Sequence, residues 1–208
     1  MDDAGMRVLG IDPGSRLTGY GCVDVVAGRL RAIEHGTLRL ASTSGKQDVE
    51  LEQRLLLLFQ GLGEVLDRLQ PDAFVVERVF FAKNAVSSLK LGQARGVVLV
   101  SGALRGISIH EYSASEVKRA VAGSGSADKD QVAKVLQLLL GGQDFKTSDA
   151  SDALALAVCH AQLFLGSSGA YPRVSVRSSK KRLSLAESLG LTPERVGSAR
   201  RVDFSKKE

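Results

Sequence analysis

Of 208 residues only two are cysteine and three are histidine, and no uninterrupted apolar run approaches the roughly 20 residues of a membrane span. Cys22 and Cys159 stand far apart in apolar surroundings. That spacing gives neither a disulfide framework nor a CxxC metal or redox pair, and it reads as reduced thiols of a cytoplasmic protein. His35, His110 and His160 form no zinc spacing and no Ser-His-Asp arrangement, and the chain has no Walker A sequence. They read as structural or surface groups. The opening Met1-Asp2-Asp3-Ala4-Gly5-Met6 is acidic and has no apolar stretch, so it does not read as a secretory signal. Internal repeats at a period of 20–50 residues are lacking too. Apolar residues at 44% and charged residues at 25% are enough for a packed core and exclude wholesale disorder.

The net charge of +5 invites a nucleic-acid partner, but its distribution narrows that reading. Residues 167–208 hold 10 Lys+Arg against 4 Asp+Glu, so the preceding 166 residues are nearly neutral. The body must therefore bind phosphate, if it does, through local clusters. The tail, with Ser167-Ser168-Gly169, Lys180-Lys181-Arg182 and Arg200-Arg201 and few large apolar residues, reads as a mobile segment. Its role is either to solubilise or to hold phosphates without sequence preference. The division is a short N-terminal stretch 1–5, one domain over 6–166, and a basic tail 167–208.

Within the body, periodicity predicts three strands (Arg7–Ile11, Thr18–Val26, Leu30–Leu40) joined by short turns, hence an antiparallel meander. A helix over Asp48–Leu69 follows, then a buried strand Ala73–Val76 ending at Glu77. Helix Ala85–Arg105, strand Ile107–His110, and helices Ala114–Val121, Asp128–Leu140 and Ser148–Leu165 complete it, with Asp128 and Ser148 as N-cap candidates. The order predicts an α/β fold: a mixed five-stranded sheet with a three-strand meander, two parallel strands and helices on both faces.

Four carboxylates stand at element ends. Asp12 and Glu77 each close an apolar strand; Asp149 and Asp152, three apart, share one face of the last helix's first turn. In open α/β sheets functional groups gather at strand carboxyl ends. Singly, each acid has an ordinary reading: a turn at Asp12-Pro13-Gly14, an ion pair of Glu77 with Arg78 or Lys83, dipole complement at Asp149 and Asp152. Together they form a cluster that raises its own pKa values unless a cation neutralises it, and hard oxygen donors suit Mg²⁺ or Mn²⁺. Two such ions would serve phosphodiester cleavage. Basic residues Lys118, Arg119, Lys129 and Lys134 flank the adaptable Gly123–Ser126 loop. Adjacent Phe80 and Phe81 cannot both enter one core, so one ring is available to stack on an unpaired base. Ser88, Gly92 and Gly96 form a stripe of small residues that permits close approach, either to the sheet or to a second copy.

The words Gly10-Ile11-Asp12-Pro13-Gly14-Ser15-Arg16-Leu17-Thr18-Gly19-Tyr20-Gly21 and Val76-Glu77-Arg78-Val79-Phe80-Phe81-Ala82-Lys83-Asn84 closely resemble the RuvC family of Holliday-junction resolvases. So do Leu89-Lys90-Leu91-Gly92-Gln93-Ala94-Arg95-Gly96 and Asp149-Ala150-Ser151-Asp152-Ala153-Leu154-Ala155, in order, from about Arg7 to Leu165. The resemblance implies an RNase H-like fold and a homodimeric, metal-dependent endonuclease that resolves four-way DNA junctions by paired nicks in recombination and repair. It assigns catalysis and metal holding to Asp12, Glu77, Asp149 and Asp152, with two Mg²⁺ or Mn²⁺ ions per subunit. Some relatives carry histidine at one of the last two acid positions. It favours Phe80 as the base contact and gives Lys118 and Lys129 the phosphates near the cut; as basic residues Lys83, Lys90 and Arg119 extend the positive DNA-binding rim. It also implies cooperation with the RuvAB branch-migration complex. Rival readings are an actin-like ATPase, for which the body leaves no room to duplicate the sheet, a non-catalytic junction binder, and an RNA-processing nuclease of the same fold.

Overall fold

The computed structural model describes residues 5–41, 49–78, 85–142 and 147–166. The chain divides into Met1–Pro172, which holds every described residue, and Arg173–Glu208, which lies outside them together with the whole basic tail 167–208.

A five-stranded sheet in the order β3-β2-β1-β4-β5 organises the fold. Its centre is β1 (Met6–Asp12), in which Val8, Leu9, Gly10 and Ile11 are all buried. A strand covered on both faces has no polar side to show, so its sequence is a run and not an alternation. β2 (Leu17–Val26) returns antiparallel to β1, and β3 (Arg29–Arg39) antiparallel to β2. The β2–β3 turn has left-handed φ at both central residues, 49° at Ala27 and 73° at Gly28, the geometry that matches strand twist in a two-residue hairpin. A bulge between Cys22 and Val23 leaves Ile33 without a partner on β2. β4 (Ala73–Glu77) and β5 (Ser108–Tyr112) add parallel strands, joined by the crossover helix α2 (Ala85–Ala103).

Alternate side chains of each strand enter opposite cores. Leu9, Ile11, Phe74 and Val76 pack under α1 (Leu51–Leu69) and α2. Val8, Val23 and Val75 pack under α3 (Ala114–Ala122), α4 (Lys129–Leu139) and α5 (Ser148–Gly166). Residues 153–161 of α5 are buried without interruption. That explains why α5 shows no amphipathic stripe: it is covered all round.

The predicted mixed sheet with helices on both faces is what forms. Element ends differ. α1 starts at Leu51, with Glu50 at the N-cap and no side-chain cap, and its buried face includes Arg54 and Leu66. Arg54 is buried because its guanidinium donates to the carbonyls of Val49 (2.6 Å) and Ser15 (3.4 Å). α2 stops at Ala103, and β5 runs on to Tyr112 because parallel pairing with β4 continues to Glu77. Asp128 caps α4 as expected, in a capping box with Gln131. Ser148 does not cap α5: it is the first helical residue, and Thr147 Oγ1 accepts from Ala150 N at 3.3 Å. The same hydroxyl hydrogen-bonds Thr37 at 2.9 Å, tying the start of α5 to β3.

Candidate active site

Parallel register sets the first two acids side by side. Ile11 of β1 is opposite Val76 of β4, so the next residues, Asp12 and Glu77, end adjacent strands about 4.8 Å apart. Because Ile11 and Val76 enter the α1–α2 core, their successors face the α3–α5 side. The turn after Asp12 is stapled by buried Thr18, whose hydroxyl donates to Gly14 O (3.1 Å) and accepts from Gly14 N (3.3 Å).

The third acid comes from α5, and glycines decide how close that helix lies. A Cβ on Gly10 would sit 2.1 Å from Ala153 O, and one on Gly21 would sit 2.6 Å from Leu154 Cγ. A Cβ on Gly19 would sit 2.1 Å from Asp149 O. Gly10 and Gly21 are register partners, and Gly19 is opposite Asp12. The three form a bare strip on which α5 rests, its N-terminal end at Asp12. Sequence reading passed over this strip, although glycines inside strands are costly and mark close backbone approach.

A cleft of about 230 Å³ opens at this corner, lined by Asp12, Glu77, Asp152, Lys118 and Lys129 over an apolar floor that includes Val117, Val132 and Leu156. Asp149 is not in the lining; it lies one turn earlier, against Gly19. Burial pushes the Asp12 carboxyl up to about 7, aided by the charges of Glu77, Asp152 and Asp149 and opposed by Lys129. Glu77 is raised as well, by burial and then by Asp152, again against Lys129. Lys129 Nζ donates to Asp152 Oδ2 at 2.8 Å, and that bond raises the pKa of Lys129.

Oxygen donors alone, crowded until one holds its proton near neutrality, are the surroundings a hard divalent cation relieves. No group of three or more His, Cys, Asp or Glu among the described residues is arranged as a ready cage. The Lys129 ammonium already serves Asp152 as counter-ion. The donor chemistry and the mutual repulsion of the acids fit a divalent ion.

The remaining expected contacts scatter. Lys118 and Lys129 face the cleft; Arg119 is exposed on α3 beside the Gly125 turn, and Lys90 lies on α2, outside the lining. Phe80, Phe81 and Lys83 lie outside the described residues. Arg78 does not pair with Glu77; its guanidinium reaches Glu111 O (3.1 Å) and the Glu116 carboxylate (3.7 Å). Gly92 and Gly96 have open space where a Cβ would stand, so neither serves close approach to the sheet. His160 is structural: buried, it hydrogen-bonds Tyr112 Oη at 2.8 Å and stacks on His110 at 4.2 Å. Burial, then His110, pushes His160 down to about 4, so it stays neutral.

The family model described as crossover junction endodeoxyribonuclease RuvC matches residues 8–160. A protein of that description from Geobacter sulfurreducens is 47% identical over 156 residues, 75% of this chain and 92% of its own. Its counterpart from Geobacter metallireducens is 49% identical over 156 residues, with shares of 75% and 92%. The solved structure of T. thermophilus RuvC in complex with Holliday junction substrate is similar at a TM-score of 0.70 and 34% identity, covering 77% of this chain and 96% of that one. Matched along nearly all of the described body, this chain belongs to the RuvC family of crossover junction endodeoxyribonucleases.

Proposed function

We propose that the protein is a Holliday-junction resolvase, nicking two opposed strands of four-way DNA at symmetric positions by metal-assisted phosphodiester hydrolysis. The observation that carries this reading is the meeting of Asp12, Glu77 and Asp152 in one cleft with Lys118 and Lys129. Asp12, Glu77 and Asp152 in the cleft, with Asp149 one turn earlier on α5, would hold Mg²⁺ or Mn²⁺, two ions per subunit. Ions bound there would supply activation of the attacking water and stabilisation of the leaving oxygen. The products carry 5′-phosphate and 3′-hydroxyl ends. Lys118 and Lys129 neutralise phosphate at the rim of an otherwise acidic cleft, Lys90 and Arg119 extend the positive surface, and Phe80 and Lys83 contact the junction near the cut. Nothing observed favours the rival RNA or non-catalytic readings. None of the helices among the described residues is long and apolar enough to cross a membrane. The enzyme meets chromosomal DNA in the cytoplasm, alongside the RuvAB motor.

Two equivalent strands call for two equivalent sites, hence a two-fold dimer. α2 offers the surface: Leu89 is 65% exposed and Val100 52% exposed, with Gly92 and Gly96 between them. Leu89→Asp is expected to convert a dimer to monomers in sedimentation, and a wild-type chain that sediments as a monomer removes this step.

The test is incubation with synthetic junctions, duplex and single strands, with and without Mg²⁺ or Mn²⁺; paired nicks confined to junctions are expected. Lys118→Ala is expected to weaken junction binding and reduce the slope of log K against log salt by about 1. An unchanged slope would remove Lys118 from the phosphate contacts.

A further inference from the structure

Arg95 lies on α2, on the face of the sheet opposite the cleft. Its Nη1 donates to the main-chain oxygen of Glu77 at 3.0 Å, and its Nη2 pairs with the Glu111 carboxylate of β5. Glu111 is opposite Val76 and therefore faces the α1–α2 core side, whereas Glu77 and its partner Tyr112 face the α3–α5 side, where Glu77 lines the cleft and Tyr112 packs against the core. The Arg95 side chain is 17% exposed. Its target is a peptide at the end of a ladder: pairing of β4 with β1 stops at Ile11 and Val76. Around it, Arg78 N donates to Tyr112 O at 2.7 Å and the Arg78 guanidinium to Glu111 O, so both parallel strands are fastened where they end.

We propose that Arg95 is the positioning residue for Glu77: it clamps the Glu77 peptide from behind the sheet and so sets the angle at which the carboxylate enters the cleft. One arm of the fork fixes the carbonyl and the other is fixed by Glu111, two directions that a planar guanidinium supplies and an ammonium on a flexible stem does not. Glu111 also neutralises the guanidinium, leaving Arg95 an orienting group and not a counter-charge for the acids. This rests on the reading of Glu77 as an ion-holding acid. Supports one step behind a metal ligand typically change ion affinity or rate by about 10–100-fold when removed.

The full chain, wild type, Arg95→Gln and Arg95→Lys, is titrated with Mn²⁺ alone, with bound ion read by electron paramagnetic resonance. Each is also melted in chelator. Both variants are expected to bind Mn²⁺ about 10–100-fold more weakly. Arg95→Lys is expected to melt within a few degrees of wild type, and nicking is expected to show a raised Mn²⁺ half-saturation with KM for the junction unchanged. If Arg95→Gln does not fold, Arg95→Lys decides. Wild-type Mn²⁺ affinity in Arg95→Lys overturns the proposal. Failure of the wild-type chain itself to bind Mn²⁺ overturns the reading of the acid site, and this inference with it.

Discussion

Asp12→Asn is expected to cut paired nicking of a four-way junction by about a thousandfold or more, while making the metal-free protein harder to melt at pH 8. The first effect follows from removing a charged oxygen at the place where cation charge is concentrated, a loss of about 4 kcal/mol in transition-state stabilisation. The second follows from the raised pKa of about 7, well above the ordinary value of 3.8. The folded state holds this proton more tightly than the unfolded chain does. Its contribution to stability is therefore complete below about pH 4 and disappears as pH rises through about 7. Above that, a largely buried carboxylate faces Glu77, Asp152 and Asp149 with only Lys129 opposing. Asparagine has no such penalty. Its advantage in chelator should be small at pH 4 and grow to about 2–4 kcal/mol at pH 8, roughly 5–10 °C in Tm.

Millimolar Mg²⁺ should reverse the ranking by raising the wild-type Tm at pH 8 while leaving the variant nearly unmoved. Melting curves in chelator and in Mg²⁺ at the two pH values check both signs. A variant that still cuts, or a Tm difference that is flat with pH, would mean that Asp12 is not the crowded acid of the cleft.

Strand and helix types were legible because burial leaves a period: unbroken apolar runs for β1 and β4, three- and four-residue steps in α1. Asp12 and Glu77 were legible because a carboxylate that ends an apolar strand is out of keeping with its neighbours. The adjacency of the two strands was not, since the Ile11–Val76 register is made by pairing across more than sixty residues. Thr147 was hidden behind Ser148, because two adjacent hydroxyl residues offer equal caps until the backbone chooses one. Arg95 and Arg54 were hidden for a different reason: each acts on a main-chain carbonyl, and a carbonyl has no residue type to read. The same holds for the strand glycines, whose meaning depends on what lies above them.

That strip supports the second large expectation. Gly10→Ala should leave little soluble folded protein, and Gly19→Ala should fold but lose most of its nicking. At Gly10 the added carbon meets Ala153 O at 2.1 Å and Ala157 N at 2.8 Å. Both are backbone atoms of a helix buried on every side, with no side chain to swing away and no free volume to move into. Relief requires lifting α5 off the sheet across its buried length, a cost of about 4 kcal/mol or more, a large part of a domain's stability. At Gly19 the clash is with Asp149 O, also at 2.1 Å, but this is the first turn of α5, where residue 148 is exposed. The turn can retreat, and in retreating it carries Asp149, and Asp152 one turn on, away from Asp12. Gly19→Ala should therefore lower Tm by only a few degrees while nicking falls by about a hundredfold, the scale on which a displacement near 1 Å disables a positioned group. Circular-dichroism melts and junction cleavage on the same preparations separate the two outcomes. Equal losses of stability in both variants, or near-normal cutting by Gly19→Ala, would show that the strip does not set the place of the α5 acids.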